Sequence, residues 1–269
     1  MKYGSKAWLI PLVILAAGCA PRVAHRELTA DQVGLSALSE SAVRSVVLGD
    51  TIQRYIGKYA VFADVVNQEI LRDLGGYTER YNVYAHEPLK FTESGLSEVD
   101  AFLLRAARAT ATVRVGTRLM NYVGSRLSSP ENPDLLSRER AEVYFTVTPE
   151  EISKTIQDLR GRKGRLSADE KREVARSIVA LAADVAVVDE SSRLASTMLQ
   201  EGENLRMMLE SKAFQESLKS RDSGRFNLLP EIKSNLLGSL AGLKRAAIDG
   251  EAIVRNSRLW QATLADTLD

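Results

Sequence analysis

The sequence predicts an all-α fold, an elongated bundle of about four long antiparallel helices plus one short helix. Three observations predict it. Apolar residues recur at steps of three and four over most of the chain, the period of a buried helix face. Helix-start signals stand at the heads of several of these runs. Only residues 141–148 (AEVYFTVT) read as strand-like. A short strand needs a partner, and none is evident, so this run is taken as an extended linker or a helix end.

The first helix is expected from Ser41 to Leu74, on the steps Ile52, Tyr55, Ile56, Tyr59, Phe62, Ala63, Val66, Ile70 and Leu74, with Gly75-Gly76 as its stop. The second opens at Ser97, where Ser97-Glu98-Val99-Asp100 is a capping box with Asp in place of Glu. Val99, Phe102, Leu103, Ala106, Val113, Met120 and Leu127 follow. Ala106, Ala109 and Gly116 on this helix allow a neighbour to approach closely. The loop SSPENP (128–133) ends it.

Thr148-Pro149-Glu150-Glu151 opens the short helix, with Thr at the cap, Pro first and Glu at the third position. It runs to about Arg160. Ser167-Ala168-Asp169-Glu170 is a second full capping box. The longest periodic run follows, through Ile178, Leu181, Val185, Val188, Ser192, Ala195, Leu199, Gly202, Leu205 and Leu209 to about Lys219. Its length is that of a coiled-coil-like rod or an elongated bundle, and Gly202 is a place for a bend. After a turn containing Asp222 and Gly224, Pro230 heads the last helix, with Ile232, Leu236, Leu240, Leu243, Ala247, Val254, Leu264 and Leu268 on its buried side. Short turns between long helices favour antiparallel neighbours. No repeat of fixed period is present, which argues against a solenoid.

Composition narrows the function classes. The chain has 269 residues, 45% hydrophobic and 26% charged, the balance of a globular protein. Lys and Arg number 36 against 35 Asp and Glu. That near-neutral balance lacks the basic excess of a nucleic-acid binder. One cysteine excludes an internal disulfide framework and a Cys-cluster metal site.

That cysteine sits in an informative place. Lys2 and Lys6 precede an apolar run, Ala7 to Leu15, of signal-core length and too short to span a bilayer. Then come Leu15-Ala16-Ala17-Gly18-Cys19. This L-A-A-G-C resembles the lipobox of bacterial lipoproteins, over the first 19 residues only. The resemblance implies cleavage before Cys19, a diacylglyceryl group on its sulfur and an acyl chain on its new amino group. A thiol is the soft nucleophile that such thioether formation needs. More than one chain gives stable anchoring, at about 0.8 kcal/mol per buried CH₂. Ala20, rather than Asp, after Cys19 resembles outer-membrane sorting. The expected organisation is therefore a signal peptide over 1–18, a lipidated Cys and tether over 19–40, and a helical-bundle domain over 41–269.

Catalytic motifs are missing. There is no G-x-S-x-G, H-E-x-x-H, E-x-x-H, Walker A or dinucleotide fingerprint. The two histidines are His25, near the tether, and His86. Asp189-Glu190 is a carboxylate pair, but adjacent helical residues point apart. Two surfaces stand out instead. The segment 77–91 (YTERYNVYAHEPLKF), expected as a loop between long helices, gathers Tyr77, Tyr81, Tyr84, His86 and Phe91. It is either a docking surface for a protein or glycan or the edge of the bundle core. The turn RGRKGR places Arg160, Arg162, Lys163 and Arg165 together. It either touches lipid headgroups and anionic envelope polymers or is a solvated helix–helix turn.

The expectation is a lipid-anchored protein of the bacterial envelope, in the outer membrane and facing the periplasm. It would be a non-enzymatic scaffold, adaptor or accessory subunit with an envelope protein partner, no nucleic acid, and no cofactor beyond the lipid on Cys19. The alternative is a ligand-binding lipoprotein with a pocket between helices or beneath residues 77–91. A deep apolar pocket ringed by Tyr77, Tyr81 and Tyr84 would favour the ligand binder, and a solid core the scaffold.

Overall fold

A computed structural model describes residues 24–28, 35–81, 89–128 and 148–269. Among the described residues the fold is all-α apart from one small two-stranded sheet. The elements in order are β1 (Ala24–Leu28), α1 (Leu35–Val47), α2 (Asp50–Lys58), α3 (Ala60–Ala63), a π-helical segment (Asp64–Ile70), α4 (Leu74–Tyr81), β2 (Leu89–Glu93), α5 (Ser97–Ser128), α6 (Pro149–Gly161), α7 (Ala168–Glu210), α8 (Lys212–Arg221), α9 (Ser223–Asn227) and α10 (Leu229–Thr267).

Among the described residues three helices are long. They are α5 with 32 residues, α7 with 43 and α10 with 39. At 1.5 Å per residue α7 is about 64 Å long. It is the central helix, packed on α10, α5 and α1. Its direction is fixed by contacts along its length. Arg126 of α5 meets Glu173 and Arg105 meets Glu201, so α5 and α7 are antiparallel. The Ser192 hydroxyl donates to the Ala247 carbonyl at 3.0 Å. An ideal Cβ on Gly202 would lie 2.5 Å from Leu240. These two contacts make α10 antiparallel to α7 as well.

The first expected helix is broken into pieces. Gly49 and Tyr59 adopt extended backbone between α1, α2 and α3. The π-helical segment then ends with the Leu71 N–H bonded to the Val66 carbonyl at 2.7 Å. Ile52, Phe62, Val66 and Ile70 are nevertheless buried as the period requires. Apolar spacing reports which side of a chain is covered, and short pieces wrapping one core satisfy it as well as one rod does. Gly75 and Gly76 do not stop a helix; they lie in the first turn of α4. Asp73 caps it, its Oδ1 accepting the Gly76 N–H at 3.0 Å.

Other boundaries follow local chemistry. Both full capping boxes form, Thr148 with Glu151 on α6 and Ser167 with Glu170 on α7. The one expected at Ser97 does not. Asp100 reaches further back, to the Ser94 N–H at 2.6 Å and the Gly95 N–H at 2.9 Å, and Ser97 is the first helical residue. Gly95, at φ +72°, takes the left-handed backbone that this turn needs. Helix α7 is unbroken at Gly202 and ends earlier than expected, at Glu210, where Ser211 caps α8. The turn after Arg221 contains the short helix α9, capped by Asp222 through the Arg225 N–H at 2.9 Å. Pro230 lies in the first turn of α10 as anticipated.

The segment read as a tether is partly built into the fold. Strand β1 pairs antiparallel with β2, Ala24 opposite Glu93 and Leu28 opposite Leu89. Leu89 is buried and pins this ribbon to the core. The strand-like run 141–147, the leader and Cys19 lie outside the described residues.

Candidate functional site

The aromatic segment is not one loop. Tyr77 is on α4 with 1% of its surface exposed. Its hydroxyl donates to the Arg176 carbonyl of α7 at 3.4 Å. It is a core residue and offers no contact area to a partner. Tyr81 is the last residue of α4, and Phe91 is half-buried in β2 against the core. Tyr84 and His86 lie outside the described residues. The structure brings Tyr77 and Phe91 to the core, not to a common docking face.

Beside Tyr77 is a small cavity between α1, α4, α5 and α7. It is lined by Ser39, Val43, Tyr77, Thr78, Leu119 and Asp184, among others, and its volume is about 10 Å³. That is about the room one water needs. Nothing of metabolite size enters it.

Sequence reasoning missed the polar seam that leads from this cavity along α7. Glu173, Ser177, Ala180, Asp184, Val187 and Ser191 are all buried. They recur at steps of four, three, four, three and four, the same period as the apolar stripe beside them. The signal was present, but polar members hid it.

At one end of this seam charges are paired, Arg126 with Glu173 buried and Arg176 with Glu69 half-buried. Arg126 Nε and Nη2 donate to the two oxygens of Glu173 at 3.2 and 3.0 Å. Arg176 Nη1 donates to Glu173 at 3.2 Å, and its Nε and Nη2 grip both oxygens of Glu69 at 2.6 and 2.8 Å. Arg172 adds a looser contact to Glu69 at 3.8 Å. Side-on guanidinium–carboxylate pairs are directional and strong. This row clamps the π-helical segment and α5 onto α7. Its carboxylates are committed to guanidiniums, so the arrangement is that of a brace.

The basic turn is largely answered from within. Arg162 pairs with Glu170 at 2.5 Å, and Lys163 approaches Asp269 at 3.9 Å. Arg165 Nη2 donates to the Gly161 carbonyl at 3.4 Å, and Arg160 is exposed on the last turn of α6. The Glu170 carboxyl is held below its usual range, first by the Ser167 N–H and then by Arg162. Asp269 joins this corner to α2. Lys58 Nζ lies 2.6 Å from its Oδ1, and the Tyr59 hydroxyl donates to the same oxygen at 2.7 Å. The Lys58 hydrogen bond, more than any other cause, holds the Asp269 carboxyl low, and Asp269 in turn raises Lys58.

The outer side of α10 carries a feature that the sequence reading left out. Leu237, Ile248 and Leu259 are 52%, 69% and 61% exposed. They stand eleven residues apart. Eleven residues make just over three whole turns, so the three share one line along the helix, opposite its buried face.

Among the described residues, no helix is long and apolar enough to cross a membrane. Among them, too, no group of three or more His, Cys, Asp or Glu is placed to hold a metal ion. No protein-family model matches the chain, and no curated protein or solved structure matches it either.

Proposed function

We propose that this chain is a lipid-anchored helical scaffold or adaptor of the bacterial envelope, held to the membrane through Cys19, with an envelope protein as its partner. The observation that carries the scaffold reading is the closed packing around Tyr77. Where a ligand binder would open a pocket, α1, α4, α5 and α7 leave about 10 Å³. The guanidinium–carboxylate row, buried at Arg126–Glu173 and half-buried at Arg176–Glu69, braces this same region instead. The anchor rests on the L-A-A-G-C pattern at Leu15–Cys19, and the outer membrane facing the periplasm is the site that Ala20 favours.

The test is Cys19→Ser in cells, followed by membrane fractionation and by pull-down of the wild-type protein from solubilised membranes. A hydroxyl cannot replace the thiol in lipidation. The variant is expected to leave the membrane fraction, and the wild type to bring down an envelope protein. A variant that stays as firmly membrane-bound as wild type overturns the anchor.

A further inference from the structure

The line of Leu237, Ile248 and Leu259 on α10 spans about 33 Å of helix at 1.5 Å per residue. Alanines 241 and 262 are exposed between and beyond them. Singly exposed apolar residues are ordinary, but these three share one line along α10, with exposed charged residues between them. Two properties of the line say what covers it. The spacing is symmetric about Ile248, eleven residues on each side. The charges beside Ile248 are antisymmetric: Lys244 and Arg245 precede it, and Asp249 and Glu251 follow it. All four are exposed.

We propose that the occupant is a second copy of this chain, pairing α10 with α10 antiparallel about a two-fold axis at Ile248. Ile248 then meets its own mate, and Leu237 of each copy meets Leu259 of the other. The basic half of one flank faces the acidic half of its counterpart, bringing Lys244 toward Glu251 and Arg245 toward Asp249 across the seam. A parallel pairing in register would oppose like charges at the same positions, which is destabilising. A two-fold contact is self-complementary by construction, and this line has that property in both shape and charge. Arg255 falls opposite Ala241, where its aliphatic stem can lie on the small side chain. A footprint one helix wide is at the low end of specific interfaces, so the dimer is a weak one. The pairing is read from α10 alone and does not depend on the lipid anchor.

Thiol cross-linking of the full-length protein in cells tests it, with wild type, carrying only Cys19, as the background. Ile248→Cys is expected to shift to twice the monomer mass with a short bismaleimide. Leu237→Cys alone is not, because its mate lies about 33 Å away along the helix. Differently tagged Leu237→Cys and Leu259→Cys chains, expressed together, are expected to cross-link to each other. Met207→Cys, also more than half exposed but on α7, controls for collision and is expected to stay monomeric. Glu251→Lys is expected to weaken the Ile248→Cys cross-link, and adding Lys244→Glu to restore it. The proposal is overturned if Ile248→Cys stays monomeric, if all three α10 positions cross-link singly as a parallel pair would, or if Met207→Cys matches Ile248→Cys. The substituted side chains are exposed, so the variants keep their fold. The readout is independent of the fraction in which the protein sediments.

Discussion

Gly116 on α5 and Val188 on α7 meet so closely that an ideal Cβ on Gly116 would lie 2.4 Å from Val188 Cγ2. Val188 is fully buried, and the rim of the water-sized cavity lies close by, with Asp184 Oδ1 3.2 Å from the same Cβ position. Contact here is backbone against side chain.

Gly116→Ala is therefore expected to destabilise the protein by about 1–3 kcal/mol, as overpacking of a filled core does. The gain in helix propensity, up to about 1 kcal/mol, opposes this and does not offset it. Gly238→Ala on α10, where a Cβ would meet nothing within 4 Å, is expected to stabilise by about 0.5–1 kcal/mol. Val188→Ala added to Gly116→Ala makes room, so the double variant should be more stable than the sum of the two single changes. Urea denaturation of these two glycine variants, Val188→Ala and the double variant against wild type decides it. Equal effects at Gly116 and Gly238 would show that α5 and α7 are not in close contact.

The clamp around Glu173 gives a second contrast. Glu173→Ala removes the carboxylate that both Arg126 and Arg176 face, in a setting where the Arg126 and Glu173 side chains are 11% and 5% exposed. Breaking a buried pair from one side costs about 3–5 kcal/mol. Glu201→Ala breaks only the half-exposed pair with Arg105, worth about 1 kcal/mol or less. Replacing Arg126 and Glu173 together with Met should recover most of the loss, because neither charge is then buried alone. Thermal melts at one protein concentration measure all three.

Stability near Asp269 should depend on pH in a set direction. Its carboxyl is held below the usual value, chiefly by Lys58 and then by Tyr59. A depressed carboxyl contributes above its unfolded pKa, about 3.9, and that contribution is lost as pH falls through the lower folded value. Lys58 is raised by the same bond, so on the alkaline side the contribution fades only above about 10.4. The melting-temperature gap between wild type and Asp269→Asn should be constant across neutral pH and close below about pH 4. A gap that persists in acid would assign it to packing.

What could be read in advance divides along a physical line. Thr148 and Ser167 are satisfied within four residues of chain, so their caps are visible in the sequence and form as expected. The stripe Ile178, Leu181, Val188 and Ala195 is likewise buried. For Tyr77 the sequence left core edge and docking surface open, and burial of Glu173 was not legible, because a polar side chain is covered only when distant elements supply Arg176 or Arg126 to meet it. The break at Tyr59 was hidden for a related reason: Tyr55, Tyr59 and Phe62 form one ring cluster, Tyr55 to Phe62 at 5.2 Å, whether or not the helix is continuous. The line on α10 has only three members eleven residues apart, a weaker pattern than the inward face of the same helix.

The pairing of β1 with β2 has a consequence for reach. On the reading that Cys19 carries the lipid, five peptide steps separate the acylated residue from Ala24, the first residue of β1. Fully stretched, they extend no more than about 18 Å. The leash is thus shorter than α7 by a factor of about three or more. On that reading the start of β1 would lie within about 18 Å of the anchored residue, and two such bodies would meet as neighbours on a plane, where encounter is frequent even for a weak contact.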